Sequence, residues 1–438
     1  MFKHNATVFL LIILLSNINV NCQLPRNTLI GYLHNWNYSK APYIEPLMVD
    51  SRYNVFEIAF AVPKSGTTYN MRFKPSQLSK AEFIRQIQTI QQTGKKVIIS
   101  LGGGGQKLQL NTSEERDIFI NSVNTILNTY GFDGIDLDLE AGSVSISGGT
   151  IKNPVDSAII YMIEAVKIIM GNYREHFGKK LILTMAPETA YVQGGQSHYG
   201  DVWGAHLPII DALRDSIDIL QTQLYNSGSM YGIDRNIYIQ ETADFIVAMC
   251  EAVIHGFPTK GGFFKGLPPS KIAVGLPACP KAAGRGYTLP VHVRNAIKYL
   301  MGNGVRPGLY QLAKPEGYPD LLGMMTWSIN WDAVSTCASN YEYAQIFEDI
   351  FGTTSVTGNK LNANISPNPA ENYIDIAIAD ARTPKAPVKV YDVLGVTVLN
   401  HPLTHSQEGK NIRIDVSSLP EGVYFVRVGG KMYKFVKI

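Results

Sequence analysis

Between residues 29 and 330 the chain repeats one pattern eight times: a short apolar run of strand length, then a longer connecting stretch, often with helical spacing. The strand-like runs are Leu29–His34, Val55–Val62, Lys96–Gly103, Gly134–Glu140, Leu181–Glu188, Ile219–Asn226, Ile272–Ala278 and Gly323–Asn330. Between them Ser79–Thr93, Glu114–Thr129, Ala158–Phe177, Ile237–His255 and Val291–Met301 predict helices, several with apolar residues three and four apart. Asn111-Thr112-Ser113-Glu114-Glu115 offers one of them a capping residue and an acidic first turn. Strand–helix alternation implies a parallel sheet, and eight units imply closure into a (β/α)8 barrel. An open doubly wound sheet is the competing architecture, but the Gly102–Gly105 run lacks the spaced glycines that open a nucleotide-binding helix.

In such a barrel the chemistry sits at the C-terminal ends of the strands. Polar residues collect there: His34 and Trp36, Ser100, Glu140, Glu188, Tyr225 and Asn226, and Trp327. The fourth run stands apart, because Asp133-Gly134-Ile135-Asp136-Leu137-Asp138-Leu139-Glu140 places an acid at every second strand position. Alternation puts Asp136, Asp138 and Glu140 on one face and Ile135, Leu137 and Leu139 on the other. Neighbouring carboxyl groups raise each other's pKa values and share protons. A solvated acidic strand edge would leave the apolar face alone to hold the strand. An acid/base apparatus at the end of a buried strand accounts for both faces.

At 438 residues, 45% hydrophobic and 17% charged, the chain reads as a soluble globular protein with a large core. A net charge of +3 with no long basic run does not imply nucleic acid. Lys3 and His4 precede an apolar run, Val8–Leu15, that is too short to span a bilayer, so residues 1–22 read as a signal peptide cleaved near Cys22/Gln23. A lipid anchor on Cys22 is the alternative, although Asn19-Val20-Asn21 lacks the usual small residue. No later run predicts membrane insertion, and the expected location is extracellular or at the cell surface. After cleavage Cys250, Cys279 and Cys337 remain, at no zinc spacing. One bridge between Cys279 and Cys337, or buried free thiols, are the options. His34, His198 and His206 are scattered, so neither metal nor cofactor is expected.

The pattern ends near Phe351, leaving 23–352 as the barrel. Residues 353–360 read as a Thr/Ser/Gly-rich linker, and the periodicity then changes to two: Tyr373–Ile376, Val388–Tyr391, Ile412–Asp415 and Val423–Arg427. A small all-β sandwich is expected over 361–438.

The Asp133–Glu140 run matches the DxxDxDxE signature of glycoside hydrolase family 18. Ser100-Leu101-Gly102-Gly103, Met185-Ala186-Pro187-Glu188, Gln221–Asn226 and Met325-Thr326-Trp327 resemble that family's strand 3, 5, 6 and 8 segments, in order. The resemblance runs from about residue 28 to 352 and is closest to bacterial chitinases. It implies that Glu140 protonates the leaving oxygen and that the substrate's own N-acetyl oxygen is the nucleophile. Asp138 would hold the acetamido N–H, Asp136 would share a proton with Asp138, and Tyr225 would bind the acetamido carbonyl. Trp327 would be the floor of the −1 sugar, with Gln223, Asn226, Trp36, Glu188 and Met185 around the substrate. Trp203 and Trp331 are further candidates for outer subsites. Asp133, Ser100 and Gly103 would support the strands structurally. Family members with deep processive clefts carry an α+β insertion between strands 7 and 8. Ala278–Leu322 has room only for loops and one helix, which implies an open groove and endo-acting cleavage.

The tail resembles a type IX secretion sorting domain in Asn364–Pro369, Val390–Gly395, Leu419–Val428 and Lys434–Ile438. A carbohydrate-binding sandwich is the rival, with Tyr373, Tyr391, Tyr424 and Phe425 but no Trp. The partners implied are chitin or N-acetylglucosamine oligosaccharides, and the type IX machinery through residues 361–438. An endo-β-N-acetylglucosaminidase acting on N-glycans, or a silent chitin-binding lectin, would share the barrel.

Overall fold

The computed structural model describes residues 24–334, 339–352, 363–378, 388–392, 397–401, 411–428 and 431–438. The expected signal peptide and linker lie outside them. The chain forms two compact units, divided after Thr354.

In the first unit eight strands run parallel: β1 Thr28–His34, β2 Val55–Pro63, β3 Lys96–Gly102, β4 Gly134–Asp138, β5 Ile182–Met185, β6 Ile219–Leu220, β7 Ala273–Pro277 and β8 Gly323–Trp327. They are paired in the order β7-β8-β1-β2-β3-β4-β5-β6. The circle closes between β6 and β7 through two isolated bridges, Leu220–Ile272 and Gln223–Gly275. Gly275 permits that approach, since a Cβ there would lie 2.5 Å from the Thr222 carbonyl oxygen. This is the barrel expected, not the open sheet.

Helices cover the outside: α1 Lys80–Gln92, α2 Ser113–Tyr130, α3 Ser157–Phe177, α4 Leu207–Leu213, α5 Ala243–His255 and α6 Pro290–Leu300 among them. The Thr112 hydroxyl caps α2 by accepting from Glu115 N, and Gly131 ends it in the left-handed region at φ 72°. The helix expected from Ile237 starts only at Ala243, where the Thr242 hydroxyl accepts from Phe245 N. Ile237–Tyr238 instead pairs with Met230–Tyr231 as a rim hairpin. Its alternating apolar residues suit a strand as well as a helix, and the cap at Thr242 decides the boundary. Between β7 and β8 the chain holds loops, turns and the one helix α6.

Two cores result. Outward residues such as Ile135, Leu137 and Leu183 pack against the helices, while Ile30, Val55, Ile98, Ile182 and Ile219 fill the barrel axis at its N-terminal end. Cys279 is disulfide-bonded; Cys337 lies outside the described residues. Cys250 is a buried free thiol.

The second unit is all-β. Ala363–Ser366, Tyr373–Ile378 and Asn411–Asp415 form one antiparallel sheet; Val388–Tyr391, Thr397–His401, Gly422–Val428 and Lys431–Lys437 form the other. Ile374, Ile376, Ile412 and Ile414 from the first share a single core with Val388, Val390, Val426 and Phe435 from the second. That is a sandwich.

Candidate active site

Register carries the acids into the barrel. Ser100 on β3 pairs with Asp136 on β4, and Asp136 with Thr184 on β5, so the three form one inward layer. Asp136 is fully buried and accepts from three hydroxyls: Ser100 at 2.7 Å, Tyr32 at 2.9 Å and Thr184 at 2.8 Å. Burial still holds its carboxyl above the usual range, against those hydrogen bonds. One layer higher, Asp138 is 3% exposed. Burial, then the charge of Glu140, pushes its carboxyl well up, and the two carboxyls are hydrogen-bonded to each other. The charge of Asp136 adds to the same upward shift of Asp138.

Glu140 lies two residues beyond the end of β4 and is half-buried. The Gln223 amide sits between the two acids, 2.8 Å from Asp138 Oδ1 and 3.2 Å from Glu140 Oε1, anchored on the Ala186 carbonyl at 2.8 Å. Glu188 is pushed up to about 7 by burial and by Glu140. Tyr225 is 5% exposed, and burial together with Asp138 and Glu140 keeps its hydroxyl protonated. The site therefore holds two proton-bearing groups beside a solvent-facing acid, which is the equipment of acid/base chemistry.

Glycines shape the rim where backbones meet. Gly103 has φ 87°, donates its N–H to the Asp138 carbonyl at 2.9 Å, and faces the Phe60 ring at 2.7 Å where a Cβ would be. Gly286, at φ 104°, lies against Tyr225: a Cβ would fall 2.3 Å from that of Tyr225. Asn226 ties the same loop down, accepting from Arg285 N at 3.1 Å on its side chain and donating its own N–H to Arg285 O at 3.3 Å. Asn226 itself is exposed, with its side-chain oxygen engaged by Arg285.

The floor is aromatic. Trp327 stacks on Phe60 at 5.7 Å and meets Tyr32 edge-on at 5.5 Å. Trp36, 37% exposed, stacks on His34 at 4.4 Å. His34 is buried, which lowers its imidazole to about 3 and keeps it neutral.

Two expected substrate contacts are misplaced. Met185 pairs with Leu137, the outward residue of β4, and is fully buried in the barrel–helix core; alternation brings Thr184 inward instead. Trp331 is 5% exposed, with Tyr38 against its edge, and is a core residue. Trp203 is partly buried against Gly194. Asp133 holds the strand start, accepting from Val97 N at 3.0 Å and Gln91 at 2.9 Å and pairing with Lys179 at 3.1 Å.

Sequence reasoning missed Glu57, Gln221, Thr184 and Tyr32. Glu57 on β2 is fully buried, and Gln221 donates to its two oxygens at 2.6 and 2.7 Å. A single acid inside Val55-Phe56-Glu57-Ile58-Ala59-Phe60-Ala61 was the available signal.

Residues 28–337 match the domain described as Glycosyl hydrolases family 18. The chain belongs to that family. Among curated relatives, chitinase D of Niallia circulans is 43% identical over 311 residues, covering 70% of this chain and 58% of that protein. Chitinase ChiA of Flavobacterium johnsoniae is 33% identical over 399 residues, covering 86% of this chain and 25% of that protein. A family 18 chitinase structure from Chromobacterium violaceum superposes with a TM-score of 0.65 at 34% identity, covering 74% of this chain and 83% of that one. The chain spans 58% of the length of the first curated relatives it matches. Residues 364–438 match the Secretion system C-terminal sorting domain. In that tail the Arg413 guanidinium lies over the ring of Tyr373, which stays 38% exposed, at 3.9 Å, and Tyr424 is 7% exposed.

Proposed function

We propose that the protein is a secreted chitinase that hydrolyses β-1,4 bonds between N-acetylglucosamine units with retention, by substrate-assisted catalysis, and cuts within chains. The observation that carries this reading is the hydrogen-bonded Asp138–Glu140 pair beside Tyr225 at the open end of the barrel. Glu140 takes up the proton of its hydrogen bond with Asp138, leaving Asp138 charged, and gives it to the glycosidic oxygen as the C1–O bond breaks. The acetamido carbonyl oxygen closes on C1 from the opposite side, forming an oxazolinium ion and leaving Glu140 a carboxylate. Asp138 turns its charge toward the acetamido nitrogen, and the Tyr225 hydroxyl donates to the carbonyl oxygen, aligning it for attack. Glu140 then takes a proton from the water that opens the oxazolinium ion, restoring the acid and the original anomeric configuration. Trp327 supplies the apolar surface under the −1 ring, and Trp36 extends it.

Chitin oligomers and a high-mannose glycoprotein, each incubated with the protein and read by mass spectrometry, test the substrate class. Cleavage of the glycoprotein alone would move the reading to an endo-β-N-acetylglucosaminidase, and oligomer binding without any cleavage would make the chain a lectin. From polymeric chitin, endo cleavage gives products of mixed length, whereas strongly processive release of dimer would sink that part. Glu140→Gln should lower kcat by about a thousandfold or more while oligomer affinity holds, because it removes the transferable proton and little shape.

We assign residues 361–438 to export by the type IX machinery. Deleting residues 353–438 should leave the protein in the periplasm with its hydrolytic activity intact. Normal export accompanied by lost chitin binding would instead make the tail a binding module.

A further inference from the structure

Below Asp136 the barrel holds one more acid that no step above uses. Glu57 Oε1 lies 2.9 Å from the Thr184 hydroxyl oxygen, and Asp136 Oδ1 lies 2.8 Å from the same atom. A hydroxyl has one proton to give. Were both acids ionised, one of these two close contacts would hold no hydrogen between two oxygens, inside a region sealed from water. One acid must therefore carry a proton and donate it to Thr184, which donates in turn to the other.

The surroundings decide which. Asp136 already takes hydroxyl donors from Ser100 and Tyr32 on its other oxygen, at 2.7 and 2.9 Å. Glu57 has one amide group, that of Gln221, on both its oxygens, its contact with Thr184 and a share of the Tyr32 hydroxyl, and the same amide also reaches Asp136 at 3.5 Å. Among the described residues, neither acid is in an ion pair with Lys, Arg or His. The titratable groups acting on Glu57 are Asp136 and Asp138 from β4, Tyr32 from β1 and Tyr225 beyond β6. Asp136 and Asp138 oppose a second negative charge, whereas Tyr32 and Tyr225 stay neutral and a hydrogen bond from Tyr32 works the other way. Burial, then Asp136, drives the Glu57 carboxyl well above its ordinary range.

We propose that Glu57 is a positioning residue for the reaction: a neutral carboxylic acid that donates through the Thr184 hydroxyl to Asp136, fixing the buried negative charge on Asp136. That charge in turn keeps the proton of Asp138 in place against Glu140 until substrate arrives. The inference rests on the proposed roles of Asp138 and Glu140. It adds a fixed source of polarity two strands away from the acid that meets the sugar.

The test uses the full chain and three variants. Glu57→Leu and Thr184→Val break the relay and should each lower kcat about tenfold or more, with KM changed less than about twofold and the pH–rate profile displaced. The double variant should be little worse than either single, because one chain of donors is being cut twice. Glu57→Gln, whose amide can still donate to Thr184, should recover most of the kcat that Glu57→Leu loses. The infrared C=O band of protonated carboxylic acids in the wild type should lose the contribution of one carboxyl in Glu57→Gln, leaving that of Asp138. Should Glu57→Leu fail to fold, Thr184→Val and Glu57→Gln decide alone. An unchanged infrared band in Glu57→Gln, or folded Thr184→Val protein with wild-type kcat and pH profile, would overturn the proposal. If the wild type cleaves no chitin oligomer, the proposed function fails, while the infrared band still reports the state of Glu57.

Discussion

Two glutamates, Glu57 and Glu251, are both fully buried, and they meet burial in opposite ways. Glu251 on α5 has donors of its own: the Tyr310 hydroxyl at 2.5 Å, the Tyr318 hydroxyl at 2.7 Å and the Ala313 N–H at 3.0 Å. All three come from one segment between α6 and β8, so the carboxylate rivets that loop to the helix. Glu57 shares its hydroxyl donor with a second carboxyl group. A buried carboxylate with private donors is a structural fastening; one that competes for a donor has to settle where a proton resides.

The largest expected effect breaks the first half of this contrast. Glu251→Leu strands two tyrosine hydroxyls and an N–H, and should cost about 3–5 kcal/mol in urea unfolding. Its kcat should stay near wild type in the folded fraction; a loss of kcat at full folding would erase the distinction. The second effect sharpens the other half through pH. In the unfolded chain Glu57 ionises near 4.5, but when folded it stays neutral to well above that value. Between the two values the unfolded state binds fewer protons, so wild-type stability falls as pH rises, by up to about 1.4 kcal/mol per unit. Glu57→Gln removes this slope, and unfolding curves measured across neutral pH should converge on and then exceed those of the wild type. Parallel curves would mean that Glu57 is ionised in both states. The smallest effect concerns Asp133, whose Lys179 partner is 37% exposed. Asp133→Asn should cost only about 1–2 kcal/mol and leave the pH–rate profile where it was. A displaced profile would bring Asp133 into the acid network.

The barrel and its acid strand were readable because period-2 acids and eight strand–helix units are periodic signals. What escaped was set by contacts across strands. Met185 and Thr184 are adjacent in sequence, and only the register with Asp136 shows that Thr184 faces inward. Glu57 and Gln221 lie 164 residues apart and come together only when β2 and β6 enter the same barrel. Trp331 follows the strand that carries Trp327, but Ser328 starts a short helix at Ile329 and turns it into the core. Gly286 against Tyr225 is likewise a meeting of two loops. Local pattern fixes which residues a strand carries, and the partners of each come from closure.

Exposure falls steadily down the axis: Glu140 is half-buried, Asp138 is 3% exposed, and Asp136 and Glu57 are at 0%. Beneath them the axis is stoppered by Ile30, Val55, Ile98, Ile182 and Ile219. The barrel is therefore a well with one opening, and Glu140 sits at its lip. In the mechanism proposed above, a sugar over Glu140 would cover that opening, so the acids beneath could trade protons with the outside only through Glu140 itself.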